Sequence, residues 1–344
     1  TRRARLVDAR TAHDTAISLA HTIGDRQCEA NARLGLGEVA LREGRLVDAT
    51  IAYEAALSLY QASGDRLGQA NTRLSQGELA QRAGNLADVR LAYASALSLF
   101  QEIGDHLGEA NTRLAQGMLA VRERRLTEAR QAFTDALSIC QGLGERLGEA
   151  NARLAIGRLA ESEGRLPDAR IMLRAALHLF QTVGDLRGEA NCHMAIGCLA
   201  RAENSVGEAL LEFRWALRMH TAIDDGQGIA VDLHQMAIVL SQSGPPEAAL
   251  VVFDEALGVH RKVGDKHGEA VDLCSEGFEL AQLDLLPAAI AAFWQARQYS
   301  GYRRQPWNIF NPFPHPFPRC PDYGFRAVQR HSGPIAQKHS EHAH

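Results

Sequence analysis

The stretch Gly104-Asp105-His106-Leu107-Gly108-Glu109-Ala110 decides how the rest of the chain is read. Forty residues earlier stands Gly64-Asp65-Arg66-Leu67-Gly68-Gln69-Ala70, and forty residues later Gly144-Glu145-Arg146-Leu147-Gly148-Glu149-Ala150. The same phrase, with small changes, opens further units at Gly24, Gly184, Asp224 and Gly264, so seven units of 40 residues run without insertion to Arg303. The units opening at Gly64 and Gly104 agree at 21 of 40 positions. Self-similarity at such a period is the mark of a stacked-repeat architecture.

Each unit reads as two helices. The Gly-Asp step supplies both boundary signals: the glycine stops one helix, and the acid beside it accepts from the free N–H groups of the next. A first helix is predicted from Asp105 to about Glu123. Tight turns are expected near Gly44, Gly84, Gly164 and Gly244, with Arg124, Asn204 and Asp284 standing in the other units. A second helix then carries Ala49, Tyr53, Ala56, Leu57 and Tyr60 at helical spacing. One helical pair cannot bury such a face alone, so neighbouring pairs must share a continuous core.

The spacing Gly37, Gly44, Ala49, Tyr53, Ala56 resembles the tetratricopeptide repeat signature, and recurs at Gly117, Ala129, Phe133, Ala136 and at Gly277, Ala289, Phe293, Ala296. The resemblance covers about 280 of the 344 residues. It implies an all-α, right-handed α-α superhelix like those of kinesin light chains, Pins-type adaptors and the sensor ends of signalling NTPases. Residues 1–23 align as the second helix of a truncated leading repeat, residues 24–303 are the repeats, and residues 304–344 are a separate tail. An orphan helix at the start, with no initiator Met before it, reads as part of a longer array.

Composition agrees with this class. Hydrophobic residues make up 46% and aromatics only 6%, a balance that favours close-packed helices over sheets. The net charge of -4 divides into -7 for residues 1–303 and +3 for the tail, with acids and bases interspersed. Such a surface offers no basic stripe for nucleic acid, and no apolar run of membrane-spanning length exists. Cys28, Cys140, Cys192, Cys198, Cys274 and Cys320 follow no disulfide or CxxC pattern, which suggests reduced thiols in the cytoplasm.

The resemblance implies that the first helices line a concave surface. Asn31, Asn71, Asn111, Asn151 and Asn191 hold one position in five successive units. A carboxamide can donate to and accept from a peptide backbone at once, so this ladder suits an extended ligand; the competing reading is hydrogen bonding within the solenoid. Val231 and Val271 end the column. Arg42, Arg82 and Arg122 form a second column that would favour an acidic protein or peptide segment, against the alternative that they merely compensate helix dipoles. A third column, Arg33, Arg73, Arg113 and Arg153, follows Glu29, Glu109 and Glu149 at the stabilising i,i+4 spacing and reads as structural.

Other motifs fail on context. Gly35-Leu36-Gly37-Glu38-Val39-Ala40 lies inside a helix with no strand before it, so it is no phosphate-binding turn. Cys192, His193 and Cys198 match no zinc spacing. No catalytic motif, cofactor or metal site is expected. Residues 306–321 hold six of 11 prolines together with Trp307, Phe310, Phe313 and Phe317; the tail reads as disordered, as folding back over the array, or as non-native readthrough. The expectation is a non-catalytic, cytoplasmic scaffold that binds a protein segment, with no nucleic-acid or membrane partner. The alternative is the sensor module of a larger signalling NTPase or transcriptional regulator.

Overall fold

The structure, a computed structural model, describes residues 2–299. Every described element is a helix. The helix α1 (Arg2–Ile23) is followed by seven pairs: α2 (Arg26–Arg42) with α3 (Leu46–Ser63), α4 (Arg66–Ala83) with α5 (Leu86–Ile103), and α6 (His106–Arg122) with α7 (Leu126–Leu143). Next come α8 (Arg146–Ser162) with α9 (Leu166–Val183) and α10 (Leu186–Ala202) with α11 (Val206–Ala222). Two more pairs follow, α12 (Gly226–Ser243) with α13 (Pro246–Val263) and α14 (Lys266–Gln282) with α15 (Leu286–Gln298). The tail beyond residue 299, and with it the reading of Trp307, Phe310, Phe313 and Phe317, lies outside the described residues.

The repeated Gly-Asp phrase performs both of its assigned tasks. Asp105 Oδ1 accepts from Gly108 N at 3.0 Å and Asp65 Oδ1 from Gly68 N at 2.9 Å, capping α6 and α4. Gly104 takes a left-handed φ of +72°, which closes α5 without the penalty a Cβ would bring. Three turn positions that lack glycine adopt the same conformation: Arg124 at φ 58°, Asn204 at 59° and Asp284 at 57°. The repeat geometry therefore overrides local preference there. Gly244 departs from the expected tight turn. Its φ of -139° and ψ of -171° are extended, because Pro245 follows and a residue before proline is driven out of the helical region.

Two glycine registers set how closely the helices approach. A Cβ on Gly77 would lie 2.2 Å from Tyr93 and one on Gly117 2.4 Å from Phe133, so within a unit the aromatic of the second helix sits directly on the backbone of the first. The second register joins neighbouring units. A Cβ on Gly108 would lie 2.3 Å from Phe100, and one on Gly188 2.1 Å from Phe180. In the first unit this slot holds Cys28, and its partner position holds Ala20 in place of an aromatic.

Besides pairing in sequence, the first helices touch one another directly: α2 with α4, α6 with α8, α8 with α10, α10 with α12, and α12 with α14. No two second helices make a comparable contact. Closer approach on one side curves the stack, so the first helices form its inner face. On the outer side a recurring ion-pair clamp ties units together. Arg130 meets Glu163 at 2.6 Å, and Glu163 is held in turn by Arg165 at 2.6 Å; Arg90 and Arg170 pair with Glu123 and Glu203 in the same way. Burial works against the charge on Glu163, but the hydrogen bonds from Arg165 and Arg130 outweigh it and lower its pKa.

Candidate functional site

Along each first helix, one stripe faces away from the core. In the first three units it runs through Asn31, Glu38 and Arg42, then Asn71, Glu78 and Arg82, then Asn111, Met118 and Arg122, all of them exposed. The i, i+7, i+11 spacing places these side chains on one side of the helix, and the direct contact of α2 with α4 lines the first two stripes up side by side. Asn151 is likewise exposed, while Asn191 is half-buried.

The two sequence columns meet different fates. Asn31 Oδ1 accepts from the Tyr60 hydroxyl at 2.6 Å, so this amide is tied to its own unit. Burial first, and Asp65 second, push the Tyr60 pKa up to about 12, which keeps it a donor at any physiological pH. At the position of Tyr60 the next units carry Phe100, Cys140 and Phe180, which have no hydroxyl to offer to Asn71, Asn111 and Asn151. In the arginine column, Arg82 Nη1 donates to the Leu41 carbonyl of the preceding first helix at 3.0 Å. That bond satisfies a helix C-terminus. Arg42 and Arg82 also face the carboxylate of Glu78, whose pKa is raised by partial desolvation and then by Glu38. The inner face of the first two units is therefore a mixture of both signs. The third arginine column is structural, with Arg33 on Glu29 at 2.6 Å, Arg113 on Glu109 at 2.7 Å and Arg153 on Glu149 at 2.7 Å.

Further along, the character of this face changes. Ala195, Cys198 and Ile238 are buried where their counterparts in the first units are partly or fully exposed. The fifth and sixth units close up over their own inner surface.

The structure also contains a polar core that sequence reasoning missed. His220 Nδ1 lies 2.6 Å from Asp232 Oδ2, with Asp232 fully buried. In the next unit Asp272, also fully buried, bridges two imidazoles: Oδ2 to His260 Nδ1 and Oδ1 to His234 Nδ1, each at 2.6 Å. Burial drives the Asp232 pKa up to about 6 against the opposing pull of His220, and its Oδ1 has no hydrogen-bond partner. Burial disfavours the charge on His260, yet Asp272, Asp265 and Glu269 together raise its pKa. A signal was present. Histidine replaces the aromatic near the end of the fifth and sixth units, and aspartate replaces Thr72 or Thr112 twelve residues later in the unit that follows each, a paired exchange visible once the repeats are aligned. His193, set aside from any metal role, faces Glu212 at 2.6 Å.

No family model matches the sequence, and no curated protein matches it either. Solved structures do. The chain is similar to the Rap conjugation gene regulator of the plasmid pLS20 in complex with the Phr* peptide, with 14% identity and a TM-score of 0.57 over 89% of this chain and 98% of that one. It is similar to aspartyl phosphate phosphatase F from Bacillus subtilis, with 13% identity and a TM-score of 0.63 over 82% and 73%. It is also similar to a signal transduction ATPase with numerous domains from Pyrococcus horikoshii, which carries a tetratricopeptide repeat sensor; identity is 11% and the TM-score 0.59, over 78% of this chain and 42% of that one. These likenesses establish a tetratricopeptide-like helical repeat fold.

Proposed function

We propose that the protein is a non-catalytic interaction module that holds an extended segment of another protein along the inner face of the first helices. The row of exposed carboxamides at Asn71, Asn111 and Asn151 carries this reading. Each can donate to and accept from one peptide unit, and a preformed rigid surface lowers the ordering cost on the receptor side. The similar pLS20 regulator was solved with a peptide bound, which supports a peptide as the ligand class. A catalytic role has less support. Asp232 and Asp272 are fully buried and their histidine partners nearly so or half-buried, so these pairs have no route to a substrate.

The test is a random peptide library displayed on phage and selected against the protein, followed by affinity measurement. Replacing Asn71, Asn111 and Asn151 together by Ala weakens the selected peptides while helical content stays constant. Unchanged affinity sinks the amide ladder. A second reading, the sensor module of a larger signalling ATPase, draws on the Pyrococcus horikoshii likeness, in which this chain spans 42% of the other protein. A phosphate-binding-loop domain encoded in frame before Thr1 would support it.

A further inference from the structure

On the outer face, equivalent positions of successive second helices can be compared directly. After its exposed Leu91, α5 carries Ala94, Ser95 and Ser98, all small and uncharged. At the same positions α11 carries Arg214, Trp215 and Arg218 after Leu211, and α13 carries Asp254, Glu255 and Gly258 after Val251. The i, i+3, i+4, i+7 spacing puts each set on one side of its helix, and all but Gly258 are exposed. Two successive second helices, both packed on α12, thus present a basic row and an acidic row at matching heights. Each row starts at an exposed aliphatic side chain, Leu211 at 54% and Val251 at 70%.

Neither row is neutralised within the chain. Among the described residues Arg214 and Arg218 have no ion pair, because the acids of α11 are already taken: Glu208 by Arg170 at 2.7 Å and Glu212 by His193 at 2.6 Å. Asp254 and Glu255 have no basic partner either. The pKa of the neighbouring Glu276 on α14 is raised, by burial first and by Asp254 second. Trp215 is held in place from two sides: its ring stacks on His193 with centroids 6.3 Å apart, and the Arg218 guanidinium lies 5.4 Å from its centroid. It is nevertheless 42% exposed. A Cβ on Gly258 would meet nothing within 4 Å, so the surface of α13 beside Glu255 is open.

Rows of opposite sign lying side by side are self-complementary. A two-fold axis between α11 and α13, parallel to both, turns a second copy so that its α13 lies over α11 and its α11 over α13. Leu211 then faces Val251 of the second copy, Arg214 faces Asp254, Arg218 reaches Glu255, and Trp215 covers the open surface at Gly258. Every pairing occurs twice. We propose that the outer face of α11 and α13 is a homodimer interface whose partner is a second copy of this chain. Tryptophan and arginine are the residue types that dominate binding at such contacts. The stack curves toward its first helices and bulges on this side, so two copies touch over few helices. The dimer is therefore weak, with a Kd on the order of 1–100 µM. Both inner faces point away from the contact and stay open, so the interface is independent of what they hold.

Sedimentation equilibrium of the full chain tests the interface. In low salt the wild type shows a monomer–dimer equilibrium at concentrations up to about 200 µM, above the expected Kd. Raising the salt to about 0.5 M weakens it by roughly 10-fold, because the paired rows are exposed and screened. Arg214→Glu with Arg218→Glu sets acid against acid, and Asp254→Arg with Glu255→Arg sets base against base; each variant alone stays monomeric. Mixed in equal amounts the two variants associate, which also shows that both are folded, and the chain carrying all four substitutions dimerises again. Trp215→Ala weakens the dimer by roughly 10- to 100-fold with unchanged circular dichroism. A wild type that stays monomeric in low salt, or reversed variants that dimerise as the wild type does, overturns the interface. Reversed variants that remain apart on mixing overturn the two-fold pairing of α11 with α13.

Discussion

Two slots of the repeat, twelve residues apart, are filled differently at the two ends of the chain. Towards the N-terminus they hold Tyr60 with Thr72, Phe100 with Thr112, Cys140 with Ala152 and Phe180 with Cys192; towards the C-terminus they hold His220 with Asp232 and His260 with Asp272. The backbone around them is the same, since Gly68, Gly108 and Gly188 leave room for the aromatic just as Gly228 and Gly268 leave room for the imidazole. One geometry thus accepts either apolar packing or a hydrogen-bonded histidine–aspartate pair, provided both members change together. Exchanging only one member leaves a buried group without its partner, which is the costly case.

That contrast can be broken most severely with His220→Phe, which strands the fully buried Asp232 carboxylate. A loss of about 3–5 kcal/mol is expected in urea unfolding. Adding Asp232→Thr recreates the pair found at Phe100 and Thr112 and recovers most of it. A double variant no more stable than His220→Phe would show that the slots are not interchangeable.

The pH response sharpens the comparison. Asp232 titrates near 6 when folded against 3.8 in the unfolded chain, so between those values the folded state holds the extra proton. Its contribution is present below pH 4 and falls as pH rises through 6, by about 3 kcal/mol if the whole shift is realised. His260, raised above 6.5, has the same sign: its contribution is present below 6.5 and lost as pH rises through the folded pKa. Glu109 and Glu149 respond in the opposite sense. Burial opposes their charge, but hydrogen bonds from Gln101 and Arg113 for Glu109, and from Arg153 and Gln141 for Glu149, lower their pKa values. Their contribution is present above about 4.5 and lost on acidification. Thermal unfolding from pH 4 to 7 should therefore lose part of its pH dependence in Asp232→Asn. An unaltered profile would mean that the buried aspartate does not titrate in this range.

Smaller effects probe the packing that both ends share. Gly188→Ala puts a Cβ 2.1 Å from Phe180 and should cost about 1–3 kcal/mol in chemical unfolding. A neutral result would show that the neighbouring units can slide apart. Arg124→Gly relieves a left-handed backbone at φ 58° and should stabilise by about 1 kcal/mol, seen as a raised Tm. A lowered Tm would mean that the Arg124 side chain contributes more than its conformation costs.

Much of the fold was legible in the sequence because a 40-residue period repeats every local instruction seven times. The Gly-Asp caps and the paired helices each follow from residue chemistry at fixed spacing, whereas the seating of Tyr53 on Gly37 and Phe133 on Gly117 within one unit came from the packing. The candidate site was legible only in outline. The sequence aligned the five asparagines, but it could not show that Tyr60 captures Asn31 while Asn71, Asn111 and Asn151 stay exposed. It aligned Arg42, Arg82 and Arg122, but not the bond from Arg82 to the Leu41 carbonyl one unit away.

The sequence by itself determined the number, length and order of the helices, because caps, turns and apolar spacing act within a few residues of one another. Only the tertiary structure decided which polar groups meet. Asp272 joins His234 and His260 from two other helices, and Arg82 reaches the Leu41 carbonyl across a unit boundary; such contacts span 12 to 41 residues and depend on how one helix face is turned toward the next. Repetition fixes the positions, and the stacking of neighbouring units fixes the chemistry.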